Sequence, residues 1–117
     1  MSIRRVVPNV KSDCFDESRE FYTEFLGFDV AMDMGWVMTL ASPSNPTAQV
    51  TVLGGSDSPV PHPQISIEVA DVDALHAKAV ARGLQIVYPL TDEPWGVRRF
   101  YVVDPNGTVI NIMSHGK

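Results

Sequence analysis

The sequence predicts an α+β fold made of two βαβββ halves, and three observations predict it. Two amphipathic stripes end at matching glycines, Gly27-Phe28 and Gly83-Leu84, which suits left-handed helix C-caps. Each stripe is preceded by one β-like run and followed by three. Between the halves lies GGSDSPVPHP, from Gly54 to Pro63, whose three prolines, two glycines and two serines resist both helix and sheet ladders. The 117 residues therefore divide into a module at about 1–54, a linker at 55–63 and a module at about 64–115, all within one domain. Internal duplication is the simplest account of the restart.

The first strand runs from Ile3 to Val10 and ends in the polar Lys11-Ser12-Asp13. A helix follows, capped by Asp13 or Asp16, with Phe21, Tyr22, Phe25 and Leu26 at helical spacing to cover a sheet. Phe28–Met32, Trp36–Ala41 and Ala48–Leu53 complete the first module, separated by Asp33-Met34-Gly35 and by Ser42–Pro46. In the second, Gln64 to Val69 alternates strictly, placing Ile65, Ile67 and Val69 on one face and Gln64, Ser66 and Glu68 on the other. Asp71 then precedes the stripe Val72, Leu75, Ala79 and Val80, which ends at Arg82-Gly83. Leu84–Tyr88, Arg98–Val103 and Thr108–Met113 are the remaining strands, the last two joined by the tight-turn signal Asp104-Pro105-Asn106-Gly107.

Composition narrows the partners. With 9 Lys and Arg against 14 Asp and Glu, the net charge of -5 disfavours a grip on phosphate backbones, and nucleic acid is excluded. No apolar run approaches the roughly 20 residues needed to span a bilayer, so no membrane partner is expected, and a cytoplasmic location follows by elimination. The single cysteine, Cys14, has no second thiol with which to close a disulfide or share an ion, and reads as a structural or incidental thiol.

Three stretches carry a family likeness: Phe21-Tyr22-x-x-Phe25-Leu26-Gly27-Phe28, then Ile67-Glu68-Val69-Ala70-Asp71-Val72-Asp73-Ala74-Leu75, then Pro94-Trp95-Gly96 followed by Phe100 and Asp104-Pro105-Asn106-Gly107. In their order and spacing they resemble the vicinal oxygen chelate superfamily of glyoxalases, bleomycin-resistance proteins and extradiol dioxygenases. The resemblance implies curled mixed sheets around a groove, helices on the outer face, and a homodimer sharing that groove. It does not fix an activity, because the group contains lyases, isomerases, oxygenases and non-catalytic drug-binding proteins.

Members that use a metal hold a divalent ion with His, Glu or Gln near the starts of the first and fifth strands and on the fourth and eighth. Carried over by position, those places fall on Arg5 or Val7, Gln49, Gln64 and Asn111. This set has neither carboxylate nor imidazole, and a carboxamide offers an ion only a dipole. No cofactor is therefore expected, the alternative being a divalent ion reached by Glu68 from the face of Gln64. Of the histidines, His62 falls in the linker, His76 on the second helix and His115 in the C-terminal tail, none of them on a groove strand.

Aromatic and thioether side chains gather where groove strands and rims are expected. Trp36 with Met38, or else Val37 with Thr39, faces the groove, the pattern favouring the first pair; Trp95, Phe100 and Tyr101 line the other half. Asp92-Glu93-Pro94-Trp95-Gly96, beside Arg98 and Arg99, reads as a pocket wall or as a plain turn. The expected function is binding of a small organic molecule, with an aromatic or cationic antibiotic-like ligand sequestered in a dimeric groove without metal. The alternative is a lyase, isomerase or dioxygenase-type enzyme with an atypical or absent metal site, including a metal-free isomerase using Glu68 or His62 as base.

Overall fold

A computed structural model describes residues 2–54 and 61–115. Most of the expected linker, including its residues 55–60, lies outside the described residues. The elements are β1 (Ile3–Lys11), α1 (Phe15–Glu20) continued by a π-helical turn (Phe21–Phe25), β2 (Asp29–Asp33), β3 (Val37–Ala41), β4 (Gln49–Leu53), β5 (Ile65–Val69), α2 (Val72–Ala81), β6 (Ile86–Asp92), β7 (Val97–Val103) and β8 (Val109–His115). The α+β class and the paired βαβββ order are those predicted. The chain forms two compact units, one from Val7 through β4 and the other joining the residues up to Val6 to the second half of the sequence. β1 thus contributes its two ends to different units.

In the N-terminal unit the strand order is β2-β3-β4-β1. β4 runs parallel to β1 and antiparallel to β3, with Thr51 opposite both Asn9 and Thr39. Met38, Leu40 and Val52 are fully buried and pack with Phe15, Tyr22, Phe28 and Val50. This fixes Val50 and Val52 on the helix side, as their alternation predicts. It also corrects the pairing of Met38 with Trp36, because Met38 belongs to the helix-covered core and leaves Val37 and Thr39 for the other face.

A second correction concerns the first helix. Leu26 N donates to Phe21 O, five residues back, so the last turn is π rather than α. The wider turn breaks the α-helical phase that put four apolar residues on one stripe. Tyr22 stays with the core, while Phe21, Phe25 and Leu26 are at least half exposed.

In the C-terminal unit the order is β1-β5-β8-β7-β6, with β5 and β8 parallel and the others of the second module antiparallel. Its core consists of Val69, Val72, Ala79, Phe100, Ile110 and Ile112. Asp71 caps α2 by accepting from Ala74 N, and Ser114 on β8 reinforces that end: its hydroxyl accepts from Val72 N and donates to Val69 O. The turn before β8 follows the sequence signal closely. Asp104 Oδ1 accepts from Asn106 N and Thr108 N, and Gly107 takes φ +84°, a conformation that favours glycine.

Candidate functional site

Strand register assembles the site within the C-terminal unit. Ile65, Ile67, Phe100, Val102, Ile110 and Ile112 turn towards α2, so the intervening residues form the opposite face. On that face Ser66, Asn111, Tyr101 and Tyr88 make one cross-strand row, and Glu68, Met113, Arg99 and Thr91 make the next. Phe100, expected on the ligand side, is corrected by this register. It is 1% exposed under α2, with the His76 ring edge-on at 4.9 Å.

Asn111 is 5% exposed. Its Nδ2 donates to Ser66 Oγ at 3.0 Å, while Oδ1 is buried with no hydrogen-bond partner. A buried acceptor left unbonded costs about 1–3 kcal/mol. Whichever way the amide is turned, Ser66 accounts for only one of its ends.

On the next row Glu68 joins β1 and β8. Arg5 Nε lies 3.0 Å from Oε1, and His115 Nδ1 lies 2.9 Å from Oε2. Burial pushes the Glu68 pKa up, but the hydrogen bond with His115 and the charge of Arg5 outweigh it and hold the carboxyl below its ordinary value. Of the two candidates on the first strand, Arg5 is thus the one that meets this row, while Val7 is 5% exposed. His115, expected in a tail, closes β8, because the strand runs two residues beyond the apolar pattern that marks it.

The third feature surrounds Arg99. Its guanidinium carbon lies 5.2 Å from the ring centres of Tyr88 and Tyr101 and 5.3 Å from that of Trp95, within cation–π range. Nε donates to Glu93 Oε2 at 2.7 Å, and Tyr88 donates its hydroxyl to the same oxygen at 2.6 Å. Burial works against the charge, but Tyr101 and Glu93 more than offset it and raise the Arg99 pKa. Burial likewise pushes the Tyr101 phenol up. Trp95 is carried by a short turn in which Gly96 N donates to Glu93 O and Gly96 has φ +88°. What the sequence reading missed was Arg99 as the centre of this cluster, although Val97, Arg99 and Tyr101 alternate with Arg98, Phe100 and Val102. Arg98 goes to the helix side, where it pairs with Asp73 and Asp92.

The remaining candidates are arranged otherwise. Gln64 Oε1 accepts from Val109 N, so its amide oxygen is held on the β8 backbone. In the N-terminal unit, Gln49 Nε2 donates to Pro46 O, and Trp36 precedes β3 with half its surface in water.

Residues 10–112 match the Glyoxalase/Bleomycin resistance protein/Dioxygenase superfamily. The chain belongs to that superfamily. No curated protein shows a significant match to it. Its fold is similar to that of a glyoxalase/bleomycin resistance protein/dioxygenase superfamily member from Vibrio splendidus 12B01, at 20% identity and a TM-score of 0.74, covering 97% of this chain and 99% of that one. It is also similar to methylmalonyl-CoA epimerase from Mycobacterium tuberculosis, at 19% identity and a TM-score of 0.72, covering 98% of this chain and 88% of that one. With the Mn(II)-bound glyoxalase from Novosphingobium aromaticivorans the identity is 20% and the TM-score 0.65, covering 99% of this chain but 38% of that one.

Some members of the superfamily hold a divalent ion, and the residues here do not suit one. Among the described residues, no three of His, Cys, Asp or Glu come together. The positions matched to ligands carry carboxamides at Gln64 and Asn111, the first bonded to backbone and the second to Ser66. Glu68, the nearby anion, is already charge-paired with Arg5, and a guanidinium 3.0 Å away would repel an incoming cation.

Proposed function

We propose that this superfamily member binds a small planar organic molecule on the face bearing Asn111, Arg99 and Trp95, without a metal, as a sequestering protein rather than an enzyme. The observation that carries the reading is the buried Asn111 Oδ1 without a hydrogen-bond partner. An acceptor of this kind is costly in the free protein and favours a ligand that donates to it. The half-exposed Trp95, 5.3 Å from the Arg99 guanidinium carbon, adds a large ring surface. A cationic ligand is less well served than the net charge suggests, since the ring cluster already surrounds the protein's own guanidinium. Glu68 makes a poor general base, because Arg5 and His115 stabilise its anion and so weaken its affinity for a proton.

Titration of the intrinsic Trp fluorescence with a panel of polycyclic aromatic compounds is expected to give saturable quenching at one ligand per chain. Silence across anionic, neutral and cationic members would refute the proposal. Elemental analysis should find far less than one divalent ion per chain. About one ion per chain, lost together with a catalytic activity in Gln64→Ala, would establish the enzyme reading instead. We also propose a homodimer, supported by the exposed Phe21, Phe25, Leu26, Met34 and Trp36 of the N-terminal unit. Light scattering at the monomer mass across micromolar concentrations would exclude it.

A further inference from the structure

We propose that Arg99, held in its aromatic collar, is the receptor for a carboxylate carried by the planar ligand. The inference rests on the binding function proposed above and names the chemical class of its ligand.

Three observations lead to it. First, Arg99 is fixed before any ligand arrives. Nε is tied to Glu93 at 2.7 Å, Glu93 is itself tied to the Tyr88 hydroxyl at 2.6 Å, and the rings of Tyr88, Trp95 and Tyr101 surround the guanidinium carbon. The rotamer entropy usually lost when an arginine grips an anion has largely been given up during folding.

Second, the pair is an expensive way to build a hairpin. The side chains of Arg99 and Glu93 are 21% and 9% exposed, so both charges are largely desolvated. Apolar residues of similar volume would commonly match or exceed the stability of such a pair. The cluster also lies on the face opposite α2, away from the core around Phe100.

Third, the five N–H donors of the guanidinium exceed the partners it has, which are Glu93 through Nε and the hydroxyls of Tyr88 and Tyr101. Among the described residues, Glu93 is the one carboxylate paired with Arg99, and it is engaged through Nε. The terminal Nη groups form the edge whose two parallel N–H bonds match a carboxylate. Trp95, 54% exposed and 5.3 Å from the guanidinium carbon, provides the surface on which an attached ring would stack. Asn111 stands on the row containing Tyr101, adjacent to that of Arg99, and supplies an acceptor for a donor group on the same ligand.

The test compares 1-naphthoate, 1-naphthamide and 1-naphthylmethylamine, which share a ring system and differ in charge, by fluorescence titration at constant ionic strength. Naphthoate is expected to bind at least tenfold more tightly than the amide and more tightly still than the amine. Arg99→Lys, which keeps the charge but loses the planar fork, should reduce the preference several-fold; Arg99→Gln should abolish it while retaining weak, charge-blind ring binding. Circular dichroism reports whether each variant folds, and the comparison of the three ligands on the unaltered protein decides the question even if neither does. Equal or tighter binding of the amide or the amine overturns the role of Arg99 while leaving planar-ligand binding intact. Failure of all three ligands, and of the wider panel, overturns both.

Discussion

Replacement of Asn111 by leucine tests the central feature of the site, because the two side chains have nearly the same shape and differ in polarity. The substitution removes the hydrogen bond from Nδ2 to Ser66 Oγ at 3.0 Å, a loss of about 0.5–1.5 kcal/mol. It also removes a buried acceptor that has no partner, a gain of about 1–3 kcal/mol. The net expectation is stabilisation by about 1 kcal/mol, or about 3–6 °C in melting temperature for a domain of this size. The double variant Ser66→Ala/Asn111→Leu removes both members of that hydrogen bond and is the matched comparison for the single one. Guanidinium unfolding at an unchanged m-value measures both variants, and the fluorescence titration should show weakened ligand binding in each. A loss of more than about 1 kcal/mol in Asn111→Leu would mean that Oδ1 is bonded in solution. The reading of Asn111 as a ligand acceptor would then fail.

Two further outcomes follow from the packing and the charges. Phe100→Ala, at a position 1% exposed beneath α2, should cost about 3–5 kcal/mol in denaturant unfolding, and a cost below about 1.5 kcal/mol would remove Phe100 from the core. Glu68 has a lowered pKa in the folded protein, so its contribution to stability is full above the ordinary glutamate value of about 4.3 and is lost as pH falls through the lowered one. Glu68→Gln should therefore flatten the decline in stability over that acidic interval, as measured by unfolding between pH 6 and 3; an unchanged slope would show that Arg5 and His115 do not stabilise its anion.

The fold was legible because its signals are local and redundant. Strict alternation in Ile65–Val69, the Asp71 cap and the Gly107 turn each prescribe a backbone shape within a few residues. The side chains of the site were harder to read, for physical reasons. A strand with apolar residues on both faces carries no alternation to orient it, which is why Met38 and Phe100 were placed on the wrong side, whereas the polar–apolar alternation Gln49-Val50-Thr51-Val52 orients β4. Phe21 and Phe25 depend on whether one turn closes as α or π, a difference of one residue per turn that changes which side chains reach the core. Arg99 and Tyr88 come together only through pairing of β6 with β7, whose register shifts between Ile86 and Tyr88 and again before Thr91. His115 escaped because polar residues end β8, and pairing alone extends the strand to them.

The division of β1 between the two units bears on how the protein can be made and handled. Arg5 forms its ion pair with a residue 63 positions later, so the C-terminal unit is discontinuous in sequence. During synthesis its first strand emerges from the ribosome long before the strands it joins, and that unit must await nearly the whole chain. Expression of the second half alone would omit the arginine that neutralises Glu68 and leave the β5 edge unpaired, inviting aggregation. The duplicated pattern suggests two separable pieces, yet the natural place to cut the sequence in two is not a place where the protein can be divided.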